Sequence, residues 1–161
     1  MLAKLLCLAT FLVSVGEPAG TLILTDQYEH TWQLSDLRGS VVVLIAGDRV
    51  GNKFDGVWER AVRGRYQRQV KTVAVANLAG VPGFMHGFVR GKFVSKDPAH
   101  PNGSILLDWK GMIAKTFGFC DNLANVYVID REGVLRYTGS GQGTDAEFEP
   151  LFHVLDGLLA H

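Results

Sequence analysis

The sequence is poor in cysteine and has no excess of charge of either sign. Its 161 residues include two cysteines, Cys7 and Cys120, which excludes a fold held together by several disulfides. Lys plus Arg and Asp plus Glu each number 16, so no net field would attract nucleic acid or an anionic membrane surface. Internal repeats, linkers and low-complexity segments are also absent. With 47% hydrophobic and 20% charged residues, the composition is typical of one globular domain with a packed core.

Long hydrophobic runs are missing too, apart from one stretch at the N-terminus that predicts an export signal. Lys4 supplies a positive charge, residues 5–15 are almost entirely apolar, and residues 16–20 contain the small residues and the proline of a cleavage region. The apolar stretch is shorter than the roughly 20 residues of a transmembrane helix, so no stable membrane span is expected. The alternative interpretation is a buried first helix or strand.

A signal at residues 1–20 would leave a single domain at residues 21–161. Cys7 would be removed with the signal, and Cys120 would be the only thiol of the mature protein. An exported protein with one thiol has no internal disulfide. The predicted location is periplasmic or secreted.

An uninterrupted apolar run at residues 41–46 predicts a central strand buried on both faces. A helix is expected to begin near Asn52, which can serve as its N-cap, because apolar residues follow at spacings of three and four. Residues 70–76 predict a second buried strand. The helix-length connection between these strands predicts a parallel pair with a right-handed crossover.

The rest of the chain predicts a mixed sheet. Residues 21–25 and 31–34 are expected to form an N-terminal hairpin, and residues 125–130 and 134–138 another. Other predicted elements are a strand at 104–108, a short helix at 110–117, a loop at 96–103 and a closing helix at 145–159. A further helix is expected after Pro82, with a stripe of core residues at Phe84, Met85, Phe88, Val89 and Phe93.

Three blocks of sequence, at residues 32–45, 106–118 and 126–137, resemble exported thioredoxin-like proteins of the TlpA-type and peroxiredoxin-like redoxin group. Residues 44–53 and 81–84 are most similar to its cysteine-less periplasmic subgroup, the YtfJ type. The resemblance implies an α/β thioredoxin-like fold. We therefore expect a mixed central β-sheet flanked by helices, with an N-terminal β-hairpin extension.

The residues at the family's redox site differ from the family pattern. Its Cys-x-x-Cys pair falls on residues 50–53, where Val50 and Lys53 replace the thiols that attack and resolve disulfides. Its cis-proline falls on Ala124, and outside proline a cis bond costs about 2.5–4 kcal/mol. Dithiol chemistry is therefore not expected.

The favoured hypothesis is a non-catalytic domain that binds a protein or peptide partner. The resemblance implies that extended peptides bind at the former active-site end, so this surface could persist without the chemistry. A small anion could also bind at the start of the helix, between Arg49 and Lys53. The predicted binding residues are Arg49, Val50, Gly51, Asn52, Lys53, Asp121, Asn122 and Ala124.

The alternative hypothesis is a thiol oxidoreductase or peroxidase that uses Cys120 alone. The partial positive charge at the start of the Asn52 helix would stabilise a thiolate placed near it. An inert, half-buried cysteine is the favoured interpretation of Cys120, because the adjacent Asp121 would oppose thiolate formation if close.

No cofactor or metal is predicted. His30, His86, His100 and His153 have no partner at ligand spacing, and His153 is expected near the core face of the last helix. The glycine cluster at 139–143 lacks the spacing of a nucleophile elbow and is expected to be a flexible connection.

Overall fold

The computed structural model describes residues 12–94 and 103–161, and its central strand is β3 (Val41–Gly47). All seven residues of β3 are buried, as their continuous apolar sequence predicts. β3 pairs in parallel with β4 (Val70–Asn77) and antiparallel with β6 (Ala124–Ile129). The predicted parallel β-α-β unit is therefore confirmed.

Around this centre the described residues form a seven-stranded mixed sheet in the order β2-β1-β5-β4-β3-β6-β7. β1 and β2 form the predicted N-terminal hairpin, and β6 and β7 form the second one. The predicted α/β architecture is thus confirmed. The other strands are β1 (Ile23–Asp26), β2 (Thr31–Gln33), β5 (Ile105–Asp108) and β7 (Leu135–Gly141).

Two helices cover one face of the sheet. α1 (Asn52–Tyr66) buries Trp58, Val62 and Tyr66, and α4 (Asp145–Leu159) buries Leu151 and Leu155 against the same cluster. The two helices are also joined by the Tyr66 hydroxyl, which donates to Asp156 at 2.8 Å. α3 (Met112–Phe117) and a 3₁₀ turn at Leu34–Leu37 pack on the opposite face.

Residues 12–20, which fall within the predicted signal, lie against the domain. The Val13 N–H donates to the Thr116 carbonyl at 2.8 Å, and the Ala19 N–H donates to Gly133 at 2.9 Å. Pro18 pairs with Val134, and Ala19 is only 1% exposed. This segment therefore covers the beginning of β7. Residues 1–11, with Cys7, lie outside the described part, as does the predicted loop at 96–103 except for Gly103.

The prediction of a core stripe after Pro82 was wrong. A 3₁₀ turn at Gly83–Met85 leads into α2 (His86–Gly91), which has no buried residue. Phe84 is 89% exposed and Phe88 65%, and Met85 is exposed as well. α2 is only six residues long and is held by polar and ring contacts: its Arg90 binds Glu29 at 2.9 Å, and the His86 ring stacks on Trp109 at 3.9 Å.

Three smaller expectations also need correction. α1 is preceded by Gly51, and Asn52 is its first residue, so Asn52 is not the cap. His153 is exposed on α4. The glycine cluster is tightly packed, because β7 continues to Gly141 and a methyl group on Gly141 would overlap the Glu147 carboxylate.

Candidate functional site

The candidate site lies at the edge of the sheet where β3 and β4 end and β6 begins. The loop 48–51 joins β3 to α1, and the loop 119–123 leads into β6. Since Ala46 pairs with Asn125, the two loops meet at the same end of neighbouring strands. In open α/β sheets, this carboxyl end of the parallel strands is where ligands bind.

The carboxylate of Asp48 connects the two loops. Its Oδ1 accepts the N–H groups of Val50 at 3.0 Å and Gly51 at 2.7 Å, and its Oδ2 accepts that of Asn122 at 2.8 Å. Burial alone would raise the pKa of Asp48, but hydrogen bonds from Asn122, Gly51 and Val50 outweigh burial, so the pKa lies below its ordinary value. The chain therefore carries its own anion at the start of α1.

The backbones of the two loops also touch directly. A Cβ atom on Gly51 would overlap the carbonyl of Leu123, so only glycine fits at this position. Asn122 adopts a φ of +65°, a left-handed conformation that asparagine tolerates better than most residues. The contact between the loops thus depends on Gly51 and Asn122 together.

The buried side chain of Asn125 holds the base of the 119–123 loop. Its Oδ1 accepts the Cys120 N–H at 2.7 Å. Its Nδ2 donates to the carbonyls of Cys120 at 3.0 Å and Leu123 at 3.1 Å. An amide with these three bonds fixes the loop at both ends, independently of any sulfur chemistry.

A second carboxylate, that of Asp55, lies beneath the 48–51 loop. Both of its oxygens pack on Gly47, 2.6 and 2.7 Å from where a Cβ would stand, and its buried Oδ1 has no hydrogen-bond partner among the described residues. Burial raises the pKa of Asp55 to about 7, and the charges of Asp48 and Glu59 add to the shift. The charge of Asp55 therefore changes near neutral pH.

The structure brings most of the predicted binding residues together at this edge. Exposed on the two loops and the start of α1 are Arg49, Val50, Asn52, Lys53, Cys120, Asp121 and Asn122. Gly51 is buried under Leu123, and Ala124 is fully buried as the first residue of β6, so neither residue can contact a partner.

Cys120 is free and exposed, on the side of the loop that faces β7. It lines an open cleft of about 290 Å³ together with Asn125, Tyr127 and Ser140. The Tyr127 hydroxyl donates to the Gly118 carbonyl at 2.5 Å, and burial, with a smaller effect of Cys120, raises its pKa. Tyr127 therefore stays neutral and cannot act as a base for the thiol.

The described residues contain no group of three or more His, Cys, Asp or Glu side chains that could hold a metal ion. His30 pairs with Asp26 at 3.3 Å, and His86 stacks on Trp109, so each belongs to a structural contact. Within the described ranges, no helix has the length and apolar character needed to cross a bilayer.

Sequence reasoning missed Asp48, Asp55 and Asn125. Asp48 could have been found, because aspartate side chains in turns commonly accept the backbone N–H two residues further along the chain. Its bond to Asn122 joins residues 74 positions apart and has no local signal. Asp55 resembles the ordinary acidic residue of a first helical turn, so nothing in the sequence marks its burial.

Solved structures similar to this one include proteins described as a thiol:disulfide interchange protein, a thioredoxin and a thiol peroxidase. A protein from Chlorobium tepidum described as the thiol:disulfide interchange protein DsbE is 23% identical, with a TM-score of 0.65 over 91% of this chain and 99% of its own. The exposed lipoprotein thioredoxin of Streptococcus pneumoniae is 17% identical, with a TM-score of 0.62 over 85% and 99%. A thiol peroxidase from Chromobacterium violaceum is 12% identical, with a TM-score of 0.62 over 91% and 88%.

These similarities confirm the thioredoxin-like fold, and at such low identity they establish the fold alone. No curated protein sequence matches the chain. The model of one family, described as "Bacterial protein of unknown function (YtfJ_HI0045)", matches residues 10–157. The chain therefore belongs to this YtfJ family of thioredoxin-like proteins, as the resemblance in residues 44–53 and 81–84 predicted.

Proposed function

We propose that the protein is an exported, non-catalytic thioredoxin-fold domain that binds a protein partner through the edge formed by residues 48–53 and 119–123. The observation that carries this proposal is the position of the Asp48 carboxylate. This carboxylate accepts hydrogen bonds from the N–H groups of Val50 and Gly51. These N–H groups would otherwise stabilise a thiolate or another anion at the start of α1. The same amides are then not available to a small anion, so the alternative of anion binding is not favoured.

A fixed surface favours binding, since less entropy is lost when the partner docks. Asp48 and Asn125 hold the two loops in one arrangement before any partner arrives. Val50 is 46% exposed between the cations Arg49 and Lys53, which gives this edge an apolar centre with a charged rim.

The exposed residues Phe84, Met85 and Phe88 extend the proposed surface. They follow the end of β4, which neighbours β3, and so lie at the same edge of the sheet as the 48–51 loop. Exposed aromatic side chains in a group are typical of protein interaction sites. We infer that the partner contacts this apolar group as well as Val50.

Export is the second part of the proposal. It is supported by the apolar N-terminus and by the similarity to an exposed lipoprotein thioredoxin. A cut after Gly20 would remove the contacts of Pro18 and Ala19 with the domain. A cut after Gly16 would instead remove the bonds of Val13 to Thr116 and of Gly16 to Leu135. We propose that the cut falls within residues 16–20, whose small residues and proline are typical of a cleavage region. The N-terminal sequence of protein recovered from the producing cells tests this, and a chain that begins at Met1 would contradict it.

Site-specific photo-crosslinking tests the binding surface. A photoreactive amino acid at Val50 or Phe84 of the full chain, in the cells that make it, is expected to give a discrete adduct. The same amino acid at Glu149, exposed on α4, is the matched control and should give none. Lys53→Glu should weaken the adduct at Val50. Equal adducts at all three positions, or none at Val50 and Phe84, would contradict the proposal.

A second candidate function is that of a single-cysteine peroxidase, favoured by the exposure of Cys120 beside a cleft. The thiolate would attack one oxygen of hydrogen peroxide and break the O–O bond, forming a sulfenic acid and a hydroxide that takes a proton from solvent. Two molecules of an added thiol would then reduce the sulfenic acid to the Cys120 thiol, leaving their disulfide and water. Peroxide consumption by the protein and by Cys120→Ser decides between the functions. A loss of activity in Cys120→Ser would establish the peroxidase, whereas no consumption by either protein would remove it.

A further inference from the structure

The beginning of β4, at the other end of the strand from the candidate site, has an unpaired edge. β4 pairs with β3 from Val70 onward, but with β5 only from Ala74 onward. Residues 70–73 therefore have a neighbouring strand on one side alone. In a parallel ladder, alternate residues direct their N–H and C=O groups to each side, so about half of these backbone groups face away from β3. No hydrogen bond from the described residues reaches them.

This edge opens into a surface cleft that we call the β4 cleft. One part, of about 400 Å³, is lined by Trp32, Leu37 and residues 70–73, and a second part of about 550 Å³ extends to Ile105. Trp32, Thr72 and Val73 line both parts, so they are continuous. The volume is within the range of ordinary ligand sites, about 300–1,000 Å³.

The side chains around the β4 cleft are mainly basic. Arg63, Arg68 and Lys71 line it, and Glu59 is the acidic residue among its described walls. Glu59 is already bound to Arg63 at 2.8 Å. The positive charges of Arg68 and Lys71 therefore remain for an occupant, which favours an acidic one.

We propose that the β4 cleft binds an extended acidic segment of a protein partner, which adds to the sheet as a short strand beside residues 70–73. Unpaired strand edges are templates for another chain, and the main-chain hydrogen bonds of an added strand supply affinity while neighbouring pockets supply specificity. Four residues of β4 span about 13 Å, enough for an added strand of about four residues. Trp32 and Leu37 would pack on its apolar side chains.

This surface is separate from the one proposed above. Residues 70–73 form the beginning of β4, whereas the 48–53 loop and Phe84 follow the ends of β3 and β4. The β4 cleft can therefore bind or fail to bind whatever happens at the other end of the sheet. The two proposals are tested with different residues.

The test uses the full chain and three synthetic hexapeptides. One alternates valine with glutamate, a second alternates valine with lysine, and a third is the glutamate peptide with N-methylated backbone amides. NMR titration is expected to show the glutamate peptide shifting the amides of residues 70–73. Lys71→Glu should weaken this binding about tenfold. The matched charge reversal Lys115→Glu, on the exposed side of α3, should leave it unchanged.

The other peptides decide the mode of binding. The N-methylated peptide should bind about tenfold more weakly, since it cannot donate to the strand edge, and the lysine peptide should not bind. Equal binding of glutamate and lysine peptides, or undiminished binding of the N-methylated one, would overturn the proposal. So would no shift at about 1 mM peptide. A dimer in sedimentation that Lys71→Glu dissociates would show instead that a second copy occupies the cleft.

Discussion

The two ends of the sheet are built in opposite ways. At the end of β3, the loops 48–51 and 119–123 are held together by the Asp48 carboxylate and the Asn125 amide. At the beginning of β4, residues 70–73 face an open cleft with half of their backbone groups unpaired among the described residues. The comparison shows that hydrogen bonds to two buried or half-buried polar side chains hold the loops at the end of β3 in place without cysteines. The unpaired backbone N–H and C=O groups lie instead at the beginning of β4, in residues 70–73.

The largest effect on stability is expected from a substitution that forces the two loops apart. Gly51→Ala places a methyl group against the Leu123 carbonyl, and the backbone has to move. We expect the free energy of unfolding to fall by about 3 kcal/mol, measured by chemical denaturation, because overpacking against rigid backbone is costly.

Gly64→Ala is the matched control for this substitution. Gly64 lies on the exposed side of α1, and a Cβ there meets no other atom within 4 Å. The control should raise the free energy of unfolding by about 0.5–1 kcal/mol, since alanine favours a helix over glycine. Equal effects of the two substitutions would show that the loops are not in contact.

Removal of the Asp48 carboxylate should have the next largest effect on stability. Asp48→Ala leaves three N–H groups without their acceptor and should lower the free energy of unfolding by about 2 kcal/mol at pH 7. Because the folded state lowers the pKa of Asp48, its stabilisation is present above the unfolded pKa of about 3.9 and is lost as the pH falls through the folded pKa. The difference between Asp48→Ala and the unchanged chain should therefore shrink toward pH 3, and a difference that stays constant would contradict this role.

The other carboxylate at this end, that of Asp55, should give an effect of similar size and opposite pH dependence. The folded pKa of Asp55, about 7, exceeds the unfolded value of about 3.9, so the folded state holds its proton more tightly. Stability should then decrease as the pH rises between about 4 and 7, by about 2 kcal/mol after allowance for partial solvent contact. Asp55→Asn should remove this slope, whereas Asp121→Asn, on the exposed loop, should retain it. Denaturation curves at a series of pH values check both.

The smallest effect is expected from the exposed apolar group. Phe84→Ser should change the free energy of unfolding by less than about 0.5 kcal/mol, because the side chain is almost fully exposed. If Phe84 were instead packed in the core, the loss would be about 3 kcal/mol or more. Thermal denaturation distinguishes these outcomes. A small change would indicate that this apolar group serves binding and not folding.

The elements with strong patterns were predictable from the sequence. The apolar run of β3 and the regular spacing in α1 and α4 each correspond to buried residues, and their order implies the β-α-β unit. The α2 stripe was not predictable, since its position depends on contacts with the distant residues Glu29 and Trp109. Helical spacing shows that residues share a face and does not show what covers that face.

The location of the candidate site was predictable from the sequence, but the residues that hold it together were not. Sequence resemblance located the loops, and exposure of Val50, Lys53 and Asn122 agrees with that location. The residues that hold the loops were missed, because Asp48 meets Asn122 only after the whole sheet has formed. Asp55 was missed because its burial depends on Gly47 having no side chain.

The Asp48 carboxylate joins the two loops without any sulfur atom. A carboxylate gains and loses no electrons, so the hydrogen bonds that Asp48 accepts from both loops do not depend on the ambient reduction potential. Dithiol relatives alternate between two covalent states as that potential changes. A partner of this chain would meet the two loops in the same backbone arrangement in both conditions.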